Sequence, residues 1–324
     1  MNNITCPVCK STKEKEVFAN YTSEQAASYF CPASRNADRN SRLRKSIESL
    51  WQSDKAAVLI CSDCYFGFGY PFVGGDETFY SILHEQSGYP GWKWDYNYAI
   101  KKIFNRQAPH KTLDIGAGEG LFLKRLDKNI QKFATEGSDQ TRKILQAAGI
   151  NVFMDLNKIS GEHYQTFESI TIFQVLEHIS QFEGILGQAY KLLKTKGILV
   201  ISVPELQSMI DQEKYTGCPD MIPNHINKFS ARSLTLAIEK AGFTVDRIVH
   251  EPSYFFKILN SLQLHLIHRA TQKNTMESKV YSVQNKNVRV MLLGVLAVPA
   301  LFRLLPFIGK LSRGGSILAL AYKN

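Results

Sequence analysis

Several features that would place the chain outside the cell or across a membrane are missing. The first residues, MNNITCPVCKS, lack the basic-then-apolar order of a secretory signal, so no signal peptide is expected. Six cysteines are few for a disulfide framework in 324 residues, and four of them stand as two CxxC pairs, which suits a reducing cytoplasm and a metal. No apolar run reaches the roughly 20 residues that a spanning helix needs. The run VMLLGVLAVPALF, 290–302, is uncharged between Arg289 and Arg303 but shorter than that. A buried helix is the first expectation for it. An interfacial helix over 288–311, touching the inner face of a membrane, is the alternative, and self-association a third.

Acidic residues are scarce at one end. Residues 251–324 hold ten Lys or Arg against two Asp or Glu, so that quarter supplies +8 of the formal +10. Such a surface attracts nucleic acid, anionic lipid or an acidic substrate, or simply stays solvated. No internal repeat is visible, and no K/R-G-F/Y-G/A-F signature supports RNA binding. The G-x-x-x-x-G-K-[ST] phosphate loop is also absent, which argues against a nucleoside triphosphate.

What is present is a domain-sized hydrophobic content of 44%. From residue 111 short apolar runs alternate with amphipathic stretches, the pattern of βαβ units and a parallel sheet. Strands are expected at 111–115, 132–136, 150–154, 168–174, 197–203, 243–249 and 316–322. Helices are expected at 139–148, 181–194 and 231–241, and LFLKRLDKN after residue 120 also reads as helical. The fold class is therefore α/β: a Rossmann-like, doubly wound, mostly parallel seven-stranded sheet. A small zinc-knuckle region (1–75) and an aromatic-rich lid or linker (76–110) precede the domain at 111–324. A helical insertion at 251–314 stands before the last strand.

The loop LDIGAGEG, 113–120, spaces its glycines G-x-G-x-G. A dinucleotide loop prefers G-x-G-x-x-G, yet Leu121 occupies the third glycine's position and Glu119 would oppose a pyrophosphate. S-adenosylmethionine (SAM) has no phosphate and needs only close backbone approach. Glu136, 22 positions beyond Asp114, can accept hydrogen bonds from a ribose diol, a need that NAD and SAM share.

Downstream stretches decide between them. LDIGAGEGLFL, TEGSDQTRKILQAAGINV, FQVLEHISQFEGILGQAYKLLKTKGILVISVPE and NHINKFSARSLTLAIEKAGF occur in the order found in class I SAM-dependent methyltransferases. The chain resembles this family over about residues 93–250. It looks most like the branch of ubiquinone-biosynthesis O-methyltransferases and of methyltransferases in glycan and secondary-metabolite pathways. The resemblance implies that Asp114, Gly116 and Gly118 line the methionine end of SAM, that Glu136 holds the ribose, that Asp155 lies by the adenine, and that Gln174 faces the cofactor. Where quinone O-methyltransferases carry E-x-x-E-H, this chain has Gln174, Glu177 and His178, one carboxylate fewer for a divalent cation.

A hydroxyl or acidic carbon acceptor calls for a general base, for which His178 and His225 are the candidates. Tyr80 and Trp94 are the aromatic candidates near the acceptor. Cys6, Cys9, Cys61 and Cys64 have the spacing of a closed structural zinc site, with Cys31 an alternative ligand. The expected protein is a cytoplasmic SAM-dependent methyltransferase acting on a small molecule, sugar or lipid-linked acceptor. An RNA methyltransferase and a non-catalytic zinc-ribbon interaction protein are the alternatives, with a nicotinamide dehydrogenase further off.

Overall fold

The computed structural model describes residues 4–85, 91–106, 109–159, 161–272 and 274–324. Parts of the aromatic-rich segment (86–90, 107–108) and one residue of the insertion (273) lie outside these.

The chain begins with strand β1 (Lys15–Thr22), helices α1 (Ser23–Phe30) and α2 (Ala37–Trp51), and strands β2 (Lys55–Cys61) and β3 (Gly67–Tyr70). Thr22 starts α1 with a capping box: its hydroxyl accepts from Gln25 N–H while the Gln25 side chain accepts from Thr22 N–H. Short helices α3 (Glu77–Leu83) and α4 (Trp94–Ala99) lead into the larger sheet.

That sheet is built by β4 (Lys111–Ile115), α5 (Leu121–Arg125), β5 (Gln131–Thr135), α6 (Asp139–Ala147), β6 (Asn151–Phe153), β7 (Phe167–Phe173), α7 (Phe182–Leu192) and β8 (Leu193–Pro204). Then come α8 (Leu206–Thr216), β9 (Asn227–Lys228), α9 (Ala231–Lys240), β10 (Phe243–His250), the helices α10 (Lys257–Thr271), α11 (Met276–Tyr281), α12 (Lys286–Leu304) and α13 (Ile308–Leu311), and β11 (Ser316–Lys323).

Seven strands pair in the order β10-β11-β8-β7-β4-β5-β6, and among the described residues β11 alone runs against the others. Gly197–Val203 is buried throughout, as expected of a strand covered on both faces. One face packs on Phe182, Leu186, Leu234 and Ile238 from α7 and α9. The other packs on Ala99, Phe104, Phe122 and Leu145 from the helices before and after the glycine loop. Sheet and helices thus take the expected Rossmann-like, doubly wound form. Helix α5 stops at Arg125, earlier than the run to Asn129 predicts, because Leu126 turns extended and buries its side chain.

A second sheet joins the two ends of this sequence logic. It is antiparallel, ordered β1-β2-β3-β9, and its fourth strand comes from the segment after α8. Phe66 and Phe68 stack 5.8 Å apart, and Phe66 also meets Phe182 and Phe229. One apolar cluster therefore runs from Leu59 and Phe66 into Leu113 and Ile172.

The insertion is helical, but the first expectation for its apolar run is overturned. Residues 286–311 form a helical stretch long and apolar enough to cross a membrane by length and composition, and only 11% of its most apolar window is buried. Ala300, Leu304 and Leu311 pack on Ile258, Leu262 and Leu266 of α10. Met291, Val295, Val298 and Phe302 point away from that contact and stay exposed. The run is not a core helix because α10 can cover only one of its faces.

Because Phe66 is fully buried against Phe68, Phe182 and Phe229, Phe66→Ala should cost about 3–5 kcal/mol. Urea unfolding followed by both tryptophan fluorescence and far-ultraviolet circular dichroism should show the two signals shifting together.

Candidate functional site

A cavity of about 930 Å³ opens beyond the C-terminal ends of β4, β5 and β7, where open α/β sheets present their ligands. The main sheet contributes Gly116, Gly118, Glu136, Gln174, Glu177 and His178; the smaller sheet's side contributes Gly74, Tyr80 and His225.

The glycine loop is shaped by contact. Gly116 has φ +71°, and a Cβ on it would meet Val175 Cγ2 at 2.6 Å. Any side chain there would both strain the backbone and collide with Val175. Glu136 ends β5 and accepts from Gly118 N–H at 3.0 Å and from Ser138 N–H at 3.0 Å. Its carboxylate is thereby fixed in the cavity wall. Asp114 sits beneath the loop and does not line the cavity. Thr171 Oγ1 donates to it at 2.6 Å, and burial pushes its pKa up to about 7.

Asp155 lies in an adjoining cleft of about 370 Å³ that shares Gly116, Glu136 and Gly137 with the cavity. It also caps a short helical turn by accepting from Asn157 N–H at 2.7 Å. Gln174, at φ +57°, ends β7 and donates to Ser202 Oγ at 3.3 Å, and Ser202 donates in turn to the buried Asp95 at 2.6 Å. Five of the six residues that the resemblance assigns to the cofactor thus fall on one connected rim, and the sixth, Asp114, lies beneath it.

The two histidines come together with their ring centroids 4.7 Å apart, but their environments differ. His178 Nδ1 donates to the Asn224 carbonyl at 2.8 Å, and Tyr80 Oη lies 3.2 Å from the same nitrogen. Burial, with His225 nearby, drives the His178 pKa down to about 3, so the ring is neutral at physiological pH. His225 Nδ1 faces Asp220 Oδ1 at 2.6 Å. Burial opposes its charge, but the Asp220 carboxylate outweighs burial and raises its pKa above the ordinary value. Asp220 also holds Lys228 Nζ at 2.8 Å; burial would raise its pKa, yet the two cations bring it well below the usual carboxylate range. His225 Nε2 is left to exchange a proton.

Glu177 is 1% exposed, its Oε2 has no hydrogen-bond partner among the described residues, and burial pushes its pKa up to about 7. Glu177, His178 and His225 offer three donor atoms within 4.8 Å of one another, a set able to hold a divalent cation.

Of the two aromatic candidates, the structure brings Tyr80 to the cavity and leaves Trp94 packed on the sheet's helical face, while Tyr96 and Lys93 line the wall instead. Asp220 and Tyr96 escaped the sequence reading. Asp220 stands five residues before His225 in an irregular segment, and neither periodicity nor motif marks it. Its single signal is the GCPDMIPNH stretch itself, an acid close to a histidine between turn-forming residues.

Apart from the cavity, Cys6, Cys9, Cys61 and Cys64 cluster within 4.8 Å. Cys6 and Cys64 sulfurs are 3.6 Å apart, Cys9 and Cys61 3.5 Å. These lengths exceed any disulfide and approach the edge of about 3.8 Å that four thiolates take around a tetrahedral zinc. The Cys64 thiol, donating to Cys6, holds that sulfur's pKa down to about 5, which favours a thiolate. Cys31 packs in another cluster against Phe79 and is not part of the group.

Residues 93–248 match a family model described as a methyltransferase domain. No curated protein matches the chain. Among solved structures, the [4+2]-cyclase SpnF is 16% identical, with 74% of this chain and 84% of that one covered and a TM-score of 0.46. A SAM-dependent methyltransferase of Thermotoga maritima, described as a possible histamine N-methyltransferase, is 14% identical, with 71% and 87% covered and a TM-score of 0.43. A SAM-dependent methyltransferase of Archaeoglobus fulgidus is 16% identical, with 70% and 92% covered and a TM-score of 0.45.

Nuclear magnetic resonance titration should separate the histidines. His178 should remain neutral down to about pH 3 and His225 protonated above the ordinary 6.5. Asp220→Asn should lower the His225 pKa, since burial and Lys228 are then opposed by Glu177 alone.

Proposed function

We propose that this methyltransferase domain uses SAM to methylate a hydroxyl or acidic carbon of a small-molecule, sugar or lipid-linked acceptor. The observation that supports this most is that the side-chain-free glycine loop with Glu136 and the Asp220–His225 pair face one cavity. Gly116 and Gly118 would hold the methionine end, Glu136 the ribose hydroxyls and Asp155 the adenine, with Asp114 bracing the loop and Gln174 closing the floor. Bound there, SAM supplies an electrophilic methyl group.

The chain's residues do the rest. Positioning is the largest contribution, because holding the acceptor beside the methyl converts an encounter into an intramolecular step. His225 Nε2 takes the acceptor's proton, and Asp220 stabilises the resulting imidazolium as in a carboxylate–histidine pair. Neutral His178, fixed through Nδ1 to Asn224, presents Nε2 as a hydrogen-bond acceptor that orients the acceptor's polar group. Tyr80 braces His178 and covers the cavity. Residues 76–110 then act as lid, 1–75 as a zinc-binding scaffold and 111–324 as the methyltransferase domain. The zinc is structural, since four sulfurs leave it no open position.

A second reading assigns Glu177, His178 and His225 to a divalent cation that lowers the acceptor's pKa, favoured by the unpartnered Glu177 Oε2. Activity that survives exhaustive dialysis against a magnesium- and manganese-free buffer excludes it.

S-adenosylhomocysteine should bind in calorimetry and NAD should not, with Glu136→Ala weakening binding by at least about tenfold, the loss of one or two charge-assisted hydrogen bonds. No binding by folded wild-type protein contradicts the reading. Once an acceptor is identified, His225→Ala should lower kcat by about 10²–10⁴, and the acid limb of the rate profile should lie above pH 6.5, moving lower in Asp220→Asn. Metal analysis should find one zinc per chain, lost in Cys61→Ser together with thermal stability.

A further inference from the structure

The α12 face that α10 leaves uncovered carries a continuous apolar stripe. Val288, Met291, Val295, Val298 and Phe302 recur at spacings of three and four, so they share one side of the helix. All five are exposed, Val295 at 66% and Phe302 at 69%. The opposite edge is held to the fold through Ala300 and Leu304 against Ile258, Leu262 and Leu266. A soluble helix normally turns charge outward; here no charged residue lies between Arg289 and Arg303.

Its surroundings are cationic. Lys286, Arg289, Arg303, Lys310 and Arg313 stand along or just beyond the helix, in the quarter of the chain that carries most of the net charge. Lys257, Lys310 and Arg313 line a cavity of about 210 Å³ that Asp220 and His225 also line. An apolar stripe bordered by cations fits the boundary between acyl chains and anionic head groups. A spanning orientation does not fit, because α12 would have to abandon its contact with α10.

We propose that α12 docks in the plane of an anionic lipid bilayer, burying the Met291–Phe302 stripe while the flanking Lys and Arg side chains meet the head groups. Docking on this face also brings Lys310 and Arg313, which line the cavity that His225 shares, toward the head groups. The docking itself does not depend on the methyl-transfer reading.

Flotation tests it, using full-length zinc-replete protein with vesicles of phosphatidylcholine and phosphatidylglycerol in equal parts, and with phosphatidylcholine alone. The wild type should float with the mixed vesicles and at least about tenfold less with the neutral ones, since several cations each contribute near an anionic surface. Val295→Asp/Phe302→Asp should abolish flotation while leaving the melting temperature and S-adenosylhomocysteine binding unchanged, because both side chains project outward. Absence of wild-type flotation overturns the proposal. Equal flotation of wild type and variant overturns it too. A wild-type dimer in light scattering that the variant loses, without vesicle binding, assigns the stripe to a second copy of the chain instead.

Discussion

The site depends on how the segment between α8 and α9 is pinned. Asn227 is fully buried in β9, pairs through its backbone with β3, and donates its side-chain amide to the carbonyls of Leu176 and Ile179 at 2.7 and 2.8 Å. One side chain thus ties the small antiparallel sheet to the loop after β7, the loop that presents Glu177 and His178. Asp220, His225 and Lys228 belong to the same segment, so the distance between the histidines is set by this tie. Buried amide hydrogen bonds to backbone carbonyls are individually modest, but breaking one strands both partners away from water.

The same tie connects the cysteine-bearing region, far from the glycine loop in sequence, to the site through the smaller sheet. The four cysteines hold the turn before β1 against the turn that ends β2; β2 holds β3, and β3 holds β9. A metal at the cysteines would therefore brace, through β2 and β3, the segment that carries His225 without touching the cavity. The glycine loop and Glu136 belong wholly to the main sheet, so that wall of the cavity is the more autonomous half. Close approach links the halves: a Cβ at Gly74 would meet the His178 carbonyl at 2.4 Å.

The main sheet was legible in the sequence because its strands are bounded apolar runs, the central ones buried on both faces. The expected strand at 111–115 coincides with β4, and the other six agree within a few residues. The glycine loop and Glu136 could be singled out because a glycine-rich turn and a strand-end carboxylate have few other uses in such a unit; the structure brings them to one cavity. The smaller sheet was not, since its fourth strand is two residues long and lies remote from the others. Asp220 was invisible for a related reason: its role is created by the fold, which brings a loop carboxylate to a loop histidine. The apolar run misled in the other direction. Composition records that 290–302 avoids water, but burial depends on how many partners the surrounding helices supply, and α10 supplies one.

A crystal structure with S-adenosylhomocysteine bound tests the central claim most directly. The account predicts ribose hydroxyls on Glu136, adenine beside Asp155, and the sulfur facing the space between His178 and His225. A ligand whose sulfur points away from the two histidines, or one seated outside this cavity, would contradict it.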